Sequence, residues 1–383
     1  MTRNVKKTLT LSEYMLHKAS MAKIPLSGTF ELSPICNFSC RMCYVRKTAK
    51  EVREHSRSMM TLEQWVEIAK EAHDAGMLYL LLTGGEPLLW PDFWVLYEQL
   101  IRMGFLVSIN TNGSLIDEAA LERLKKLPPR RVNITLYGAS DRTYEKLCDA
   151  KGVFSKVDRA ITELKKAEIQ VKLNCSLTPV NAGDLEEMIQ YAKDRNLILE
   201  VAPYMFPPVR RDPDMIGVNE RFTPEESARY RLKTYFLQNG EERWLKYLEQ
   251  IIKGSVPPPG LDESCIDPVD GRIRCRAGNA SFWITWDGQM LPCGMVTTPR
   301  IDVYEMDFLS AWKQLAEICS SMKLSGVCSK CENQEICHAC AAMAIAETGD
   351  VSGIPVYLCR TVKEMKILAE EILQGNNTVK QQK

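Results

Sequence analysis

Three cysteines fall within one eight-residue run, Cys36-Asn37-Phe38-Ser39-Cys40-Arg41-Met42-Cys43, directly after a strand-like segment. Three thiolates on one short C-x3-C-x2-C loop can grip three irons of a four-iron cluster, and no fourth cysteine follows nearby. Such clusters take four cysteine ligands as a rule, which leaves one iron open to a ligand that is not protein. A structural zinc loop is the competing chemistry, although structural zinc sites are closed, usually by paired C-x2-C elements. A second concentration of thiols lies in the last third of the chain. Cys275, Gly288 and Cys293 precede Cys328-x2-Cys331-x5-Cys337-x2-Cys340, and Cys359 comes last. Alone, Cys328, Cys331, Cys337 and Cys340 suit one tetrahedral zinc ion, but Cys275, Cys293 and Cys359 then have no role. Two four-iron clusters would use them all if Cys265 supplied a further thiolate, leaving Cys148, Cys175 and Cys319 as ordinary buried thiols.

Something must hold these loops in place, and the first two hundred residues have the pattern to do it. Strand-like runs are expected at Thr29–Ser33, Leu78–Leu82, Leu106–Asn110, Val132–Leu136, Gln170–Asn174 and Leu197–Ala202. Several are almost continuously apolar, as parallel strands covered by helices are. Between them, Leu62, Trp65, Ile68, Ala69 and Ala72 recur at spacings of three and four, with Thr61 and Gln64 placed as a capping box. Similar helical patterns run over Asp92–Met103, Asp117–Leu127, Phe154–Ala167 and Leu185–Arg195. Successive βα units predict a parallel sheet with right-handed crossovers, and function should gather at the C-terminal ends of its strands. The Cys36–Cys43 loop sits past such an end. A proline-rich, basic stretch (Pro203 to Pro213) follows the sixth strand, then a helix capped by Thr223 with Pro224 at its first position. Ser281–Trp286, the Asp287-Gly288 turn and Gln289–Pro292 read as a hairpin, and Leu309–Met322 as a helix.

Composition narrows the function classes. The 383 residues exceed what one core usually serves, so two packed units are expected. Forty-nine basic side chains balance forty-nine acidic ones, so no global field favours nucleic acid. No apolar stretch is long enough to span a bilayer, and the first 28 residues lack the apolar segment of a signal peptide. A cytoplasmic location, with no nucleic-acid or membrane partner, is the expectation. There, fourteen cysteines point to metal or catalysis rather than disulfides.

Cys36-x3-Cys40-x2-Cys43-Tyr44, with Thr83-Gly84-Gly85-Glu86-Pro87 after the second strand, resembles the radical S-adenosylmethionine (radical SAM) enzymes. The series from Cys275 to Cys359 is similar to the SPASM extension, which carries auxiliary four-iron clusters. The resemblance implies an α/β fold: a partial (β/α)6 TIM-like barrel at residues 29–215 after an N-terminal extension of 1–28. A helical linker at 216–260, a small cysteine-rich SPASM domain at 261–365 and a C-terminal helix or tail at 366–383 would follow. It implies three [4Fe-4S] clusters: one held by Cys36, Cys40 and Cys43 and completed by SAM, one by Cys265, Cys275, Cys293 and Cys340, and one by Cys328, Cys331, Cys337 and Cys359. Gly84, Gly85, Glu86 and Pro87 would meet the methionine moiety of SAM. Tyr44 would lie by the adenine, and Asn112, Thr135, Asn174, Ser176 and Tyr204 would occupy further cofactor-facing stations.

The implied reaction is reductive cleavage of SAM to a 5′-deoxyadenosyl radical that takes a hydrogen atom from substrate. Relatives with this extension act mostly on peptides, so crosslinking or epimerisation of a ribosomally made precursor peptide is the leading expectation. A flavodoxin- or ferredoxin-type reductant would serve it. With only about 28 residues before the first strand, a separate leader-binding protein is a further expected partner. The alternative is dehydrogenation or rearrangement of a small molecule such as an aminoglycoside or sugar, where Arg210 and Arg211 could clamp an anion, although a solvated pair is the reading their place in a loop favours. Sulfatase maturation is disfavoured, because Gly294 stands where those relatives carry an aspartate after the cysteine matching Cys293. Three departures from the family pattern are Met42 at a commonly aromatic position, the two-residue spacing before Cys340, and the distance of Cys265 from Cys275.

Overall fold

The computed structural model describes residues 10–255 and 275–381, with side chains to residue 375; Cys265 lies outside the described residues. Helix α1 (Leu11–Ala22) opens it, with Thr10 and Glu13 forming a capping box. Six strands follow: β1 (Ser27–Glu31), β2 (Tyr79–Thr83), β3 (Leu106–Thr111), β4 (Arg131–Thr135), β5 (Val171–Ser176) and β6 (Ile198–Ala202). Each lies within two residues of its expected ends. Helices α2 (Ala49–Arg53), α3 (Leu62–Asp74), α4 (Phe93–Arg102), α5 (Glu118–Lys126), α6 (Asp141–Cys148), α7 (Phe154–Lys166) and α8 (Leu185–Asp194) connect them. Thr61 and Gln64 cap α3 reciprocally, as the spacing predicts.

The six strands pair in parallel in chain order, so every crossover carries one or two helices. Along each strand the side chains alternate. Phe30, Leu80, Leu82, Val107, Ile109, Val132, Ile134 and Leu173 are buried under the helices in one apolar core, with Phe30 against Trp65 of α3 at 4.8 Å between ring centres. By the period-two rule the other face carries Ser108, Asn110, Arg131, Asn133, Thr135, Lys172, Asn174 and Glu200. Asn133 donates to Asn110 across β3 and β4 at 2.7 Å, and Lys172 pairs with Glu200 across β5 and β6. The sheet is therefore apolar outside and polar inside, a distinction the near-continuous apolar reading of the strands does not make.

Two helices, α9 (Pro224–Asn239) and α10 (Glu241–Lys253), follow the barrel and share a second apolar core with the last helix. Beyond the undescribed segment, strands β7 (Ser281–Ile284), β8 (Gln289–Leu291) and β9 (Ile301–Asp302) precede α11 (Phe308–Ser321), α12 (Gly326–Ser329), α13 (Gln334–Cys337), α14 (Ala341–Thr348) and α15 (Val356–Gln381). The last helix is continuous across residues 365 and 366. The hairpin does not stand apart from the barrel. Strand β7 pairs in parallel with β1, Thr29 opposite Trp283, so among the described residues the sheet has nine strands in the order β6-β5-β4-β3-β2-β1-β7-β8-β9. The edge that β1 would otherwise expose is satisfied by the cysteine-rich unit.

Candidate active site

The cysteine loop leaves β1 and is pinned on three sides. First, the glycine pair after β2 lies directly against it. Gly85 N–H donates to Ser33 O at 2.7 Å and Glu86 N–H to Ile35 O at 2.9 Å. A Cβ on Gly84 or Gly85 would fall 2.4 Å from Ser33 O or 2.3 Å from Ile35 O, and Gly84 has φ 150°. The absence of side chains therefore serves first to let the two loops touch, the service expected of glycine at a close approach. Second, Asn37 accepts from the Asn112 amide at 2.8 Å and donates to Ser114 at 2.9 Å, fastening the loop to the end of β3. Third, Ser39 N–H and Arg41 N–H donate to the carbonyls of Cys148 and Leu147 at the end of α6, at 2.7 and 3.1 Å.

The three thiols fit a shared metal centre. Burial pushes the Cys36 thiol up to about 12, with Cys40 and Cys43 among the charges acting on it. Burial likewise raises Cys43, with Cys40 nearby. Cys40 moves the other way, because side-chain hydrogen bonds from Cys148 and Tyr137 favour its ionised form against burial. Thiolates this enclosed and this close repel one another, and iron binding supplies the positive charge that relieves them.

Glu86 is fully buried. One carboxylate oxygen accepts from Thr111 Oγ1 at 2.8 Å and Leu88 N–H at 3.2 Å, the other from Asn112 N–H at 2.8 Å. Its oxygens thus bind the end of β3 to the Gly84–Pro87 turn; Pro87 is buried behind it. Burial raises the Glu86 carboxyl to about 7, against the pull of the Asn112, Thr111 and Leu88 donors. Because the folded value lies above the ordinary 4.5, the folded chain holds a proton that the unfolded chain has lost between those values. The stability of the iron-free chain is therefore expected to fall as pH rises from about 4.5 to about 7 and to lose this dependence above it. Urea midpoints across that range for wild type and Glu86→Gln check the point; an equal slope in both would remove Glu86 as its source.

The other candidate cofactor residues divide. Thr135 at the end of β4 stands in register with Asn174 on β5, and Ser176 ends that strand, so these three share the mouth of the sheet. Tyr44 lies beside Arg210, whose guanidinium is 5.6 Å from its ring centre. Tyr204 is turned away: its hydroxyl donates to Glu347 of α14 at 2.6 Å, in a buried network with Arg221, which also grips Glu347 and stacks 3.8 Å over Tyr357. Arg210 is neither an anion clamp nor a solvated side chain. It forms a bidentate pair with Glu31 at 2.9 and 3.0 Å and donates to Gly294 O at 2.8 Å, while Trp283 Nε1 donates to the same carboxylate at 2.8 Å. Glu31 is fully buried and Arg210 nearly so, at 9% side-chain exposure. Arg211 beside it is exposed. A Cβ on Gly294 would press into the Trp283 ring at 2.9 Å, so no side chain fits there unless that ring moves.

The second unit gathers its thiols in two places. Cys293 and Cys340 pack against the same small core as Val296, Ala342 and Ile345, and Cys293 is among the charges acting on Cys340, whose thiol burial lifts to about 11. Cys328, Cys331, Cys337 and Cys359 act on one another in turn. Cys275 sits just before the bridge that leads into β7. Among the described residues, no three His, Cys, Asp or Glu side chains converge on a single point as they do round one ion. Sequence reasoning missed the Glu31–Arg210 pair, Tyr137 and the place of Cys148 beside Cys40. Only their proximity in space distinguishes them.

This fold and this loop define a class. The radical SAM superfamily profile matches residues 30–192. A probable GTP 3′,8-cyclase of Sulfurisphaera tokodaii is 32% identical over 278 residues, covering 72% of this chain and 83% of that one. The chain belongs to the radical SAM superfamily, and it is an enzyme of the kind that uses a [4Fe-4S] cluster and SAM. The AdoMet-dependent heme synthase of Methanosarcina barkeri is 23% identical over 342 residues, 86% of this chain and 95% of the synthase. The crystal structure of Streptococcus suis SuiB bound to its precursor peptide SuiA shares the fold, with a TM-score of 0.63 at 18% identity over 94% of this chain and 83% of SuiB. Among the described residues, no helix is long and apolar enough to cross a membrane.

Proposed function

We propose that this enzyme modifies a ribosomally made peptide, forming a crosslink or epimerising a residue. In this reading Cys36, Cys40 and Cys43 hold the SAM-binding cluster, and the second unit holds two auxiliary clusters. Cys328, Cys331, Cys337 and Cys359 form one ligand set; Cys275, Cys293 and Cys340, with Cys265, form the other. The observation that carries it is the pairing of β7 with β1. It brings Cys293 toward Tyr44, the residue after Cys43, since Arg210 both holds the Gly294 carbonyl and faces the Tyr44 ring, and that nearness supports auxiliary and radical chemistry in one neighbourhood. The likeness in fold to SuiB, whose crystal structure holds a precursor peptide, supports a peptide substrate.

Bound at the first loop, the cluster would supply the electron that cleaves SAM. The chain's own residues do the rest. Glu86 holds the end of β3 against the glycine turn, Asn112 ties that end to the cysteine loop, and Thr135, Asn174 and Ser176 present hydrogen-bonding groups to a ligand at the strand ends. A flavodoxin- or ferredoxin-type protein would deliver the electron, and a separate leader-binding protein would present the peptide.

A small polar substrate is the second reading. The polar inner face from Asn110 to Glu200 favours it, as do relatives named as a heme synthase and a GTP 3′,8-cyclase. Reconstituted enzyme, SAM and a low-potential reductant, incubated with the peptides encoded beside its gene, separate the two. A change in peptide mass or residue chirality is expected. Cleavage of SAM with every peptide unchanged would sink the peptide reading.

A further inference from the structure

One buried ion pair joins the two cysteine-bearing parts of the chain. Glu31 is the last residue of β1 and lies two residues before Ser33, whose carbonyl accepts from Gly85 of the glycine turn. Arg210 arrives from the loop after β6, where Pro207 and Pro208 precede it and Arg211 N–H closes a turn on Pro208 O at 2.9 Å. Prolines fix φ there, so the loop loses little further freedom when it presents the guanidinium. Nη2 donates to Glu31 Oε1 and Nη1 to Oε2, a two-bond fork with 9% of the arginine side chain and none of the glutamate exposed.

That fork reaches both cysteine loops. Nη1 also donates to Gly294 O at 2.8 Å, one residue past Cys293. The guanidinium carbon stands 5.6 Å from the ring centre of Tyr44, one residue past Cys43. Phe206, from the same proline-rich loop, packs on the small apolar core that also takes Cys293 and Cys340. The backbone alone does not make this connection. Pairing of β1 with β7 runs from Ser27 opposite Ser281 to Phe30 opposite Ile284, and it ends before either cysteine loop begins. Past that point the Arg210 guanidinium bridges them.

We propose that Arg210 is a positioning residue that fixes the separation between the Cys36–Cys43 loop and the Cys293 turn, and with it the separation of the two metal centres those loops carry. This rests on the cluster assignment above. Arginine suits the task. Its rigid fork answers a carboxylate with two bonds while one of its nitrogens reaches a carbonyl, whereas a lysine ammonium is a single point on a flexible stem. Glu31 neutralises the cation and so lets it stay in a dry interior. Losing the fork releases the Gly294 carbonyl and the Tyr44 ring together, while β7 stays paired to β1 through its backbone.

The test is electron paramagnetic resonance on anaerobically reconstituted, fully reduced full-length protein without SAM. The signal scored is the one absent from the Cys36/Cys40/Cys43→Ala variant. A second reduced cluster close by shortens the spin relaxation of the first, so this signal should relax faster in wild type than in Cys293→Ala. Glu31→Gln with Arg210→Met leaves no unpaired ion and should carry wild-type iron with a denaturation midpoint near the wild-type one, yet lose most of that enhancement. A role in stability alone would lower the midpoint or the iron and leave the relaxation of the loaded molecules unmoved. Full enhancement in the loaded double variant overturns the inference. If that variant fails to load, Arg210→Lys, which keeps the charge without the fork and should show the same loss, is scored in its place. About four irons with one zinc in wild type would overturn the auxiliary assignment as well. About twelve irons with equal relaxation in wild type and Cys293→Ala would overturn the inference alone, so the two failures are distinguishable.

Discussion

Replacing Cys36, Cys40 and Cys43 together by alanine is expected to abolish SAM cleavage under dithionite and to remove about four irons from each reconstituted chain, from about twelve to about eight. No other side chain can take over, because the three thiols share one short loop and the fourth iron position is left for SAM. The variant should still fold. The loop's placement rests on backbone hydrogen bonds from Ser39, Arg41, Gly85 and Glu86, none of which needs a sulfur. Iron and zinc analysis beside a cleavage assay decides the matter, and the wild-type figure separates two outcomes for the second unit. About four irons with one zinc would keep the radical site and replace the auxiliary clusters with a structural zinc domain. Cleavage that survived in the triple variant would remove the loop from the chemistry altogether.

Arg210→Ala is expected to destabilise the protein by about 3–5 kcal/mol, because it strands the Glu31 carboxylate in a dry interior with only the Trp283 N–H left to it. Removing both charges should cost far less. Glu31→Gln with Arg210→Met keeps the volume and leaves no unpaired ion, and buried pairs replaced together are often close to neutral. Chemical denaturation of the two variants and wild type, compared at the midpoint, measures the difference. A loss below about 1 kcal/mol in Arg210→Ala would place the pair among surface-like ion pairs and contradict its burial. The effect should reach the second unit, since the same guanidinium holds the Gly294 carbonyl next to Cys293.

Much of this was legible in one dimension. The C-x3-C-x2-C loop, the glycine-rich turn after the second strand and the βα alternation are local patterns, and local patterns follow from backbone sterics and side-chain period. Thr61 with Gln64 and Thr223 with Pro224 marked their helix starts because a cap needs only residues three apart. The short helix α6, Asp141–Cys148, escaped notice although Ser140 caps it; two turns offer too few periods to stand out. Arg210 was misjudged for a deeper reason. A basic pair in a proline-rich loop looks solvated until its partner is known, and that partner lies 179 residues away in the chain.

The chain's covalent order thus determined its class: which residues could bind iron, that helices and strands alternate, and that the chemistry would collect past the strand ends. Tertiary structure decided what each of those residues touches. It turned Glu86 inward to hold β3, spent the Tyr204 hydroxyl on Glu347, laid Cys148 under Cys40, and made the first strand of the second unit's hairpin the seventh of the barrel's own sheet. The physical reason is range. Propensity, capping and turn chemistry act over a few residues, whereas burial, ion pairing and strand addition depend on which distant segments come within a few ångströms once the core has closed.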